Sequence, residues 1–227
     1  MLLAIDTSTP QIGLSLFDGH KVIAEQNWFS RQMHTVELAP AVVQLLKSSG
    51  SSIEEIDAIG VAIGPGSFTS LRVGISFVKG LAFSRNIPVV GINSLDILAN
   101  GIRIDTLNPL ICTLPAGRGR HACNHYVPNK KGKSLWRAGS EQKIITVEEL
   151  VPSLEQKCYL CGDFSDAERN TIIENPLIEL LGPIFSIRRA AVLAYLAYYK
   201  LRAGGGDNAF DLTPNYLHIA NPLPDLK

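Results

Sequence analysis

The sequence has no excess of either charge. Its 227 residues carry 21 Lys+Arg and 21 Asp+Glu, a formal net charge of zero. A chain that grips RNA by itself usually shows a basic excess, because phosphate contacts dominate the affinity. Balanced charge therefore argues against stand-alone RNA binding, but not against membership of a complex that binds RNA. Long apolar runs are also missing. None approaches the ~18 residues a membrane span needs. The apolar opening Met1-Leu2-Leu3-Ala4-Ile5 is cut by Asp6 and has no basic lead-in, so neither a membrane segment nor a secretion signal is expected. The expected location is the cytoplasm, with the four cysteines as thiols. Charged residues are only 19% of the chain and hydrophobic ones 46%. That excludes disorder and supplies a core for one large domain or two small ones.

Metal and redox patterns are thin. Cys158-Tyr159-Leu160-Cys161 has zinc or redox spacing, but no second such pair exists. The segment 157–162 reads as a strand, where positions three apart face opposite sides. His121 and His125 are four apart, but their surroundings also read as strand, which would separate them by ~13 Å. A single metal cannot bridge that distance.

Residues 2–5 read as a buried strand ending in a polar turn. A second strand at 12–17, the turn Asp18-Gly19 and a third strand at 21–25 complete a meander. A helix is expected over 35–48, with one apolar stripe of Val36, Ala39, Val43 and Leu46 and another of Leu38, Val42 and Leu45; Pro40 fits if it lies in the first turn. A strand at 56–63 leads through Gly64-Pro65-Gly66-Ser67 into a helix at 68–84. This helix is also doubly striped, by Leu71, Ile75, Val78 and Ala82 and by Val73, Phe77 and Leu81. A strand at 88–92 and a short helix at 94–100 follow. Strands are expected near 110–114, 121–127, 133–138 and 157–162, and a long helix at 186–203 stopped by Gly204-Gly205-Gly206. The pattern predicts an α/β protein with two lobes built on mixed sheets.

Three segments, Leu3-Ala4-Ile5-Asp6-Thr7-Ser8-Thr9, Gly64-Pro65-Gly66-Ser67-Phe68-Thr69-Ser70-Leu71-Arg72-Val73-Gly74 and Gly91-Ile92-Asn93-Ser94-Leu95, resemble in order and separation the TsaB (YeaZ) family. The likeness covers about residues 1–100, with later echoes at Ala116-Gly117-Arg118-Gly119 and Pro214-Asn215-Tyr216-Leu217. The family usually has Gly where Ser70 stands; Pro115 and His218 are also unusual. The resemblance implies an actin-like ATPase (ASKHA, ribonuclease H-like) fold with a reduced C-terminal lobe. Its lobes would be 1–103 and 104–227, with the helix at 186–203 able to pack back on the first. It implies a non-catalytic scaffold for threonylcarbamoylation of tRNA adenosine 37. The partners implied are the catalytic paralogue TsaD, the ATPase TsaE, a second copy of the chain when TsaD is absent, and tRNA only indirectly. No cofactor and no metal are expected.

TsaD carries similar blocks, so catalysis has to be weighed. Its metal-binding histidines, four apart on a helix, correspond here to Ser94 and Leu98; leucine offers no ligand atom. Asp6, Thr7 and Ser8 stand where an actin-like ATPase places its Mg²⁺-linked carboxylate and phosphate-contacting hydroxyls. Gly64, Gly66 and Ser67 open a helix and suit an anion. A vestigial phosphate loop and a plain strand-to-helix turn capped by Ser67 or Thr69 are both open readings. Relatives carry a second carboxylate near Ala116, where this chain has Pro115. The alternative function is an ATP-dependent small-molecule kinase or ATPase using Asp6 and the Gly64–Ser67 turn. A helix packed on one sheet needs one apolar stripe, so the doubly apolar helices predict a partner surface. The expected interface residues are His34, Leu38, Val42, Leu45, Leu71, Gly74, Ile75, Phe77 and Val78.

Overall fold

A computed structural model describes all residues except Gln32, Asp105, Thr106, 130–133, Phe210, Tyr216 and 218–227; the unusual His218 lies outside the described residues. The first sheet has the order β3-β2-β1-β4-β5. Its strands are β1 (Leu2–Asp6), β2 (Gln11–Phe17), β3 (Val22–Phe29), β4 (Ala58–Ala62) and β5 (Val89–Ile92). β1 runs antiparallel to β2 and parallel to β4. Every residue of β1 is buried, as a strand covered on both faces requires. Leu3 and Ile5 face a core shared with helices α1 (His34–Ser48) and α2 (Phe68–Arg85). Leu2 and Ala4 face the opposite core, which α6 (Ala190–Arg202) closes with Leu193, Ala194 and Ala197. The absence of a side chain at Gly60 permits that contact, since a Cβ there would stand 2.7 Å from the Ala197 Cβ.

The second sheet has the order β11-β10-β6-β7-β8, with β9 also paired to β7. It comprises β6 (Leu110–Gly117), β7 (Arg120–Pro128), β8 (Trp136–Ala138), β9 (Lys143–Ile145), β10 (Cys158–Cys161) and β11 (Ile178–Leu180). One face packs on α3 (Ser94–Asn100) through Leu95, Leu98 and Ala99. The other is closed by Val147 and Leu150 of α4 (Val147–Leu150) and Ile172 of α5 (Asp166–Ile173). Ile97 of α3 joins the α6-side core of the first sheet, so this short helix wedges between the two sheets.

Three local expectations change. The last helix starts at Ala190, not 186, because Arg189 is extended (φ −74°, ψ 123°) and Arg188 reaches back toward β1. Pro40 lies inside α1, past the first turn that begins at His34, and is exposed. The short elements β9, α4, α5 and β11 carry too few residues for periodicity to reveal them. Among the described residues no helix is long and apolar enough to cross a membrane.

Candidate functional site

The fold brings the two phosphate-loop segments together. β1 delivers Asp6, Thr7 and Ser8 to the start of α2, where Gly64, Gly66 and Ser67 make the turn. The Ser67 amide donates to the Ser8 carbonyl at 2.7 Å. A Cβ at Gly66 would lie 2.0 Å from that same carbonyl oxygen, so only glycine allows this approach. The amide of Ser70 donates to the Ser67 Oγ, which caps α2. Thr7 Oγ1 donates to the Ser70 carbonyl at 2.8 Å. A third segment closes the turn from outside, where the Asn215 amide donates to the Ile63 carbonyl at 2.6 Å.

Asp6 is already occupied. Its Oδ1 accepts from the amide and hydroxyl of Ser8 at 2.8 and 2.6 Å. Its Oδ2 accepts from Arg188 Nε at 3.0 Å, and both side chains are only 1% exposed. Arg188 also donates through Nη2 to Thr9 Oγ1 and to the Gln11 carbonyl, and its amide donates to Gln11 Oε1. The guanidinium therefore supplies the positive charge that a divalent cation would bring to this carboxylate. Arg188 was missing from the candidate residues read from sequence. Its only signal was a pair of arginines immediately before an apolar helix.

The positions read for metal and redox chemistry are dispersed over α3, β6, β7 and β10. Ser94 and Leu98 are fully buried on α3, and Leu98 packs in the core of the second lobe. Pro115 is exposed near the β6–β7 turn. His121 and His125 lie on β7, and His121 Nε2 pairs with Glu168 Oε1 at 2.7 Å. Cys161 joins the core on the α3 side and Cys158 the core on the other. All four cysteines are buried free thiols. Burial pushes Cys158 up to about 11 and Cys123 and Cys161 up to about 12, and holds Cys112 well above the ordinary thiol range.

The helical face requires a correction. Leu38, Val42, Leu45, Leu71, Ile75 and Val78 were expected at a partner interface, but all point into the core beneath α1 and α2. They form the stripe nearest the sheet, where branched side chains fill the space above Leu3, Ile5 and Leu14. Gly74 is buried too: a Cβ there would stand 2.2 Å from Thr7 Oγ1, so this glycine admits β1's loop, not a partner. His34 is 5% exposed, and its Nε2 lies 3.0 Å from the Thr9 carbonyl, anchoring α1 to the loop after β1. Of the expected interface residues only Phe77 is part-exposed. Part of the other α1 stripe faces out instead, with Val36 57% and Val43 65% exposed while Leu46 joins the core; Phe68, which opens α2, is 51% exposed. Between the helices runs a groove of about 450 Å³ floored by Leu38 and walled by Ala39, Phe68, Arg72, Val73 and Phe77. The Arg72 guanidinium stacks 3.6 Å above the Phe68 ring.

The family described as "TsaD: tRNA N6-adenosine threonylcarbamoyltransferase" matches residues 27–159. Several similar proteins are named TsaB. The "tRNA threonylcarbamoyladenosine biosynthesis protein TsaB" of Bacillus subtilis (strain 168) is 40% identical over 107 residues, 47% of each chain. That of Escherichia coli (strain K12) is 31% identical over 151 residues, 66% of this chain and 64% of the relative.

The chain belongs to the TsaB (YeaZ) family.

The matches span about half of the Bacillus TsaB and under two thirds of the Escherichia protein. The YeaZ structure from Pseudomonas aeruginosa superposes with a TM-score of 0.78 at 24% identity, covering 95% of this chain and 99% of that one. (R)-2-hydroxyglutaryl-CoA dehydratase component A from Acidaminococcus fermentans superposes at 0.52 with 11% identity, over 88% and 98% of the two chains. At these identities the likeness is one of fold: this chain shares its α/β architecture of two mixed sheets with that YeaZ structure.

Proposed function

We propose that the chain is a non-catalytic scaffold subunit for threonylcarbamoylation of tRNA adenosine 37, acting by binding a TsaD paralogue. The names of the TsaB relatives support the pathway. The observation that carries the non-catalytic reading is the buried Asp6–Arg188 pair. An actin-like ATPase needs that carboxylate for its Mg²⁺-linked phosphate, and here it is committed to an arginine of the same chain. The turn amide that could face an anion is spent too, with Ser67 N on Ser8. These features weigh against the alternative of an ATP-dependent kinase or ATPase.

The partner surface is the outward face of α1 and α2, built from Val36, Ala39, Val43, Phe68, Val73 and Phe77 rather than from the inward stripe. It combines exposed aliphatic and aromatic groups with one arginine, the composition of an interface core. The same face would pair two copies of the chain when TsaD is absent, and TsaE would join the assembled pair. Ser76→Arg tests the surface, since Ser76 is exposed in the groove wall. The variant should melt like the parent yet lose association with TsaD and self-association by at least tenfold in sedimentation. Undiminished association of a folded variant would contradict the assignment.

A further inference from the structure

We propose that the outer edge of the second sheet, bearing Arg118, Arg120, Arg137 and Lys143, contacts the phosphate backbone of RNA directly. The zero net charge conceals a strong segregation. Residues 101–145 carry eight Lys/Arg against two Asp/Glu, while residues 146–182 carry two against eight. The topology gathers part of the basic stretch on one edge. β8 and β9 both pair with β7, one at each end, so their residues line its outer side. Arg137 stands opposite Val127, and Lys143 opposite Cys123. Positions 123 and 127 face the same side of β7 and are ~13 Å apart. Arg118 lies in the β6–β7 turn, beside the end where β9 pairs, and Arg120 opens β7 on its opposite face.

Arg118, Arg137 and Lys143 are exposed and Arg120 half-buried. None of the four forms an ion pair among the described residues, whereas Arg188, Arg189 and Lys200 all do. Glu141, in the loop between β8 and β9, is the single acid beside them in sequence. Uncompensated cations create a local positive potential that draws polyanions whatever the net charge of the chain. Their spread over the edge, on the β6–β7 turn, β7, β8 and β9, suits a repeating phosphate chain better than one acidic side chain. The choice of RNA as the polyanion rests on the tRNA reading above; the charge arrangement does not.

The test titrates an unmodified tRNA transcript with the chain alone and with the chain plus TsaD, at roughly 50 to 200 mM salt. The triple variant Arg118→Asn/Arg137→Ala/Lys143→Ala removes three cations, with asparagine chosen because Arg118 has φ +55°. Each phosphate contact adds about 0.7 to 0.9 to the slope of log K against log salt, so the slope should fall by about 2 in both titrations. Arg137→Lys/Lys143→Arg should keep the parent slope, which guards against a folding defect. An unchanged slope and affinity in the folded triple variant would overturn the proposal. So would loss of TsaD association by that variant with RNA binding intact, since the edge would then be a protein contact. If TsaD fails to bind the parent chain while the slope with the chain alone still falls, the scaffold reading fails and this edge stands.

Discussion

Asp6 and Arg188 lie 182 positions apart, yet each is the other's main partner. Both are buried, so removing one leaves an uncompensated charge in the interior. Arg188→Ala should therefore destabilise the fold by about 3–5 kcal/mol, read from urea unfolding. A loss below ~1 kcal/mol would mean that water or Ser8 already satisfies Asp6. The motif half of this site was legible: Asp6-Thr7-Ser8 and Gly64–Ser67 announce themselves by residue type, and the fold does bring them together. The arginine was not legible, because no local rule links a residue before the last helix to the end of the first strand. A half-buried carboxylate, Asp96 on α3, sets a pH dependence. Burial raises Asp96, opposed by the hydrogen bond it accepts from Tyr126 Oη at 2.8 Å. For a carboxyl raised on folding, the stabilising contribution is full below the ordinary carboxylate value of about 3.9 and is lost as pH rises through the raised value. Asp96→Asn keeps an acceptor for Tyr126 and does not titrate. Its stability relative to the parent should therefore grow from pH 4 to pH 7 in parallel urea titrations; a constant difference would exclude Asp96 as the source.

The helices show how far periodicity reaches. α1 and α2 each read as doubly apolar, and each has one stripe in the core and a second only partly exposed: Leu46 is buried, and Val73, Phe77 and Leu81 pack against the core's edge. What periodicity could not say is which stripe meets the sheet, because that depends on where β1 and β4 lie. Hence Leu38, Val42, Leu45, Leu71, Ile75 and Val78 meet the sheet and not a partner, and Gly74 meets Thr7. Strand alternation did serve for the cysteines, since β10 turns Cys158 and Cys161 to opposite cores. With thiols buried and raised to about 11 and 12, iodoacetamide should label the native chain at least a hundredfold more slowly at pH 7 than the unfolded chain. Rapid native labelling of Cys158 or Cys161 would point to a reactive pair. The short α5 could have been found, as Ser165 and Glu168 form a capping box visible in sequence; β9 and β11, three residues each, offered no such cue.

The whole molecule has two sheets with α3 wedged between them and α6, late in the chain, packed on the first. The first sheet carries the Asp6–Arg188 pair, the Gly64–Ser67 turn and the outward helical face; the second carries the basic edge. Such a division suits the proposed scaffold role, with one surface proposed for a protein partner, another for a polyanion, and Asp6 committed to Arg188. The direct measurement of this account is threonylcarbamoyl transfer to tRNA by TsaD and TsaE with ATP, threonine and bicarbonate, with and without this chain. The chain alone should transfer nothing, and its addition to TsaD and TsaE should raise the rate at least tenfold, with Ser76→Arg failing to do so. Equal transfer by TsaD and TsaE without the chain, or transfer by the chain alone, would contradict it.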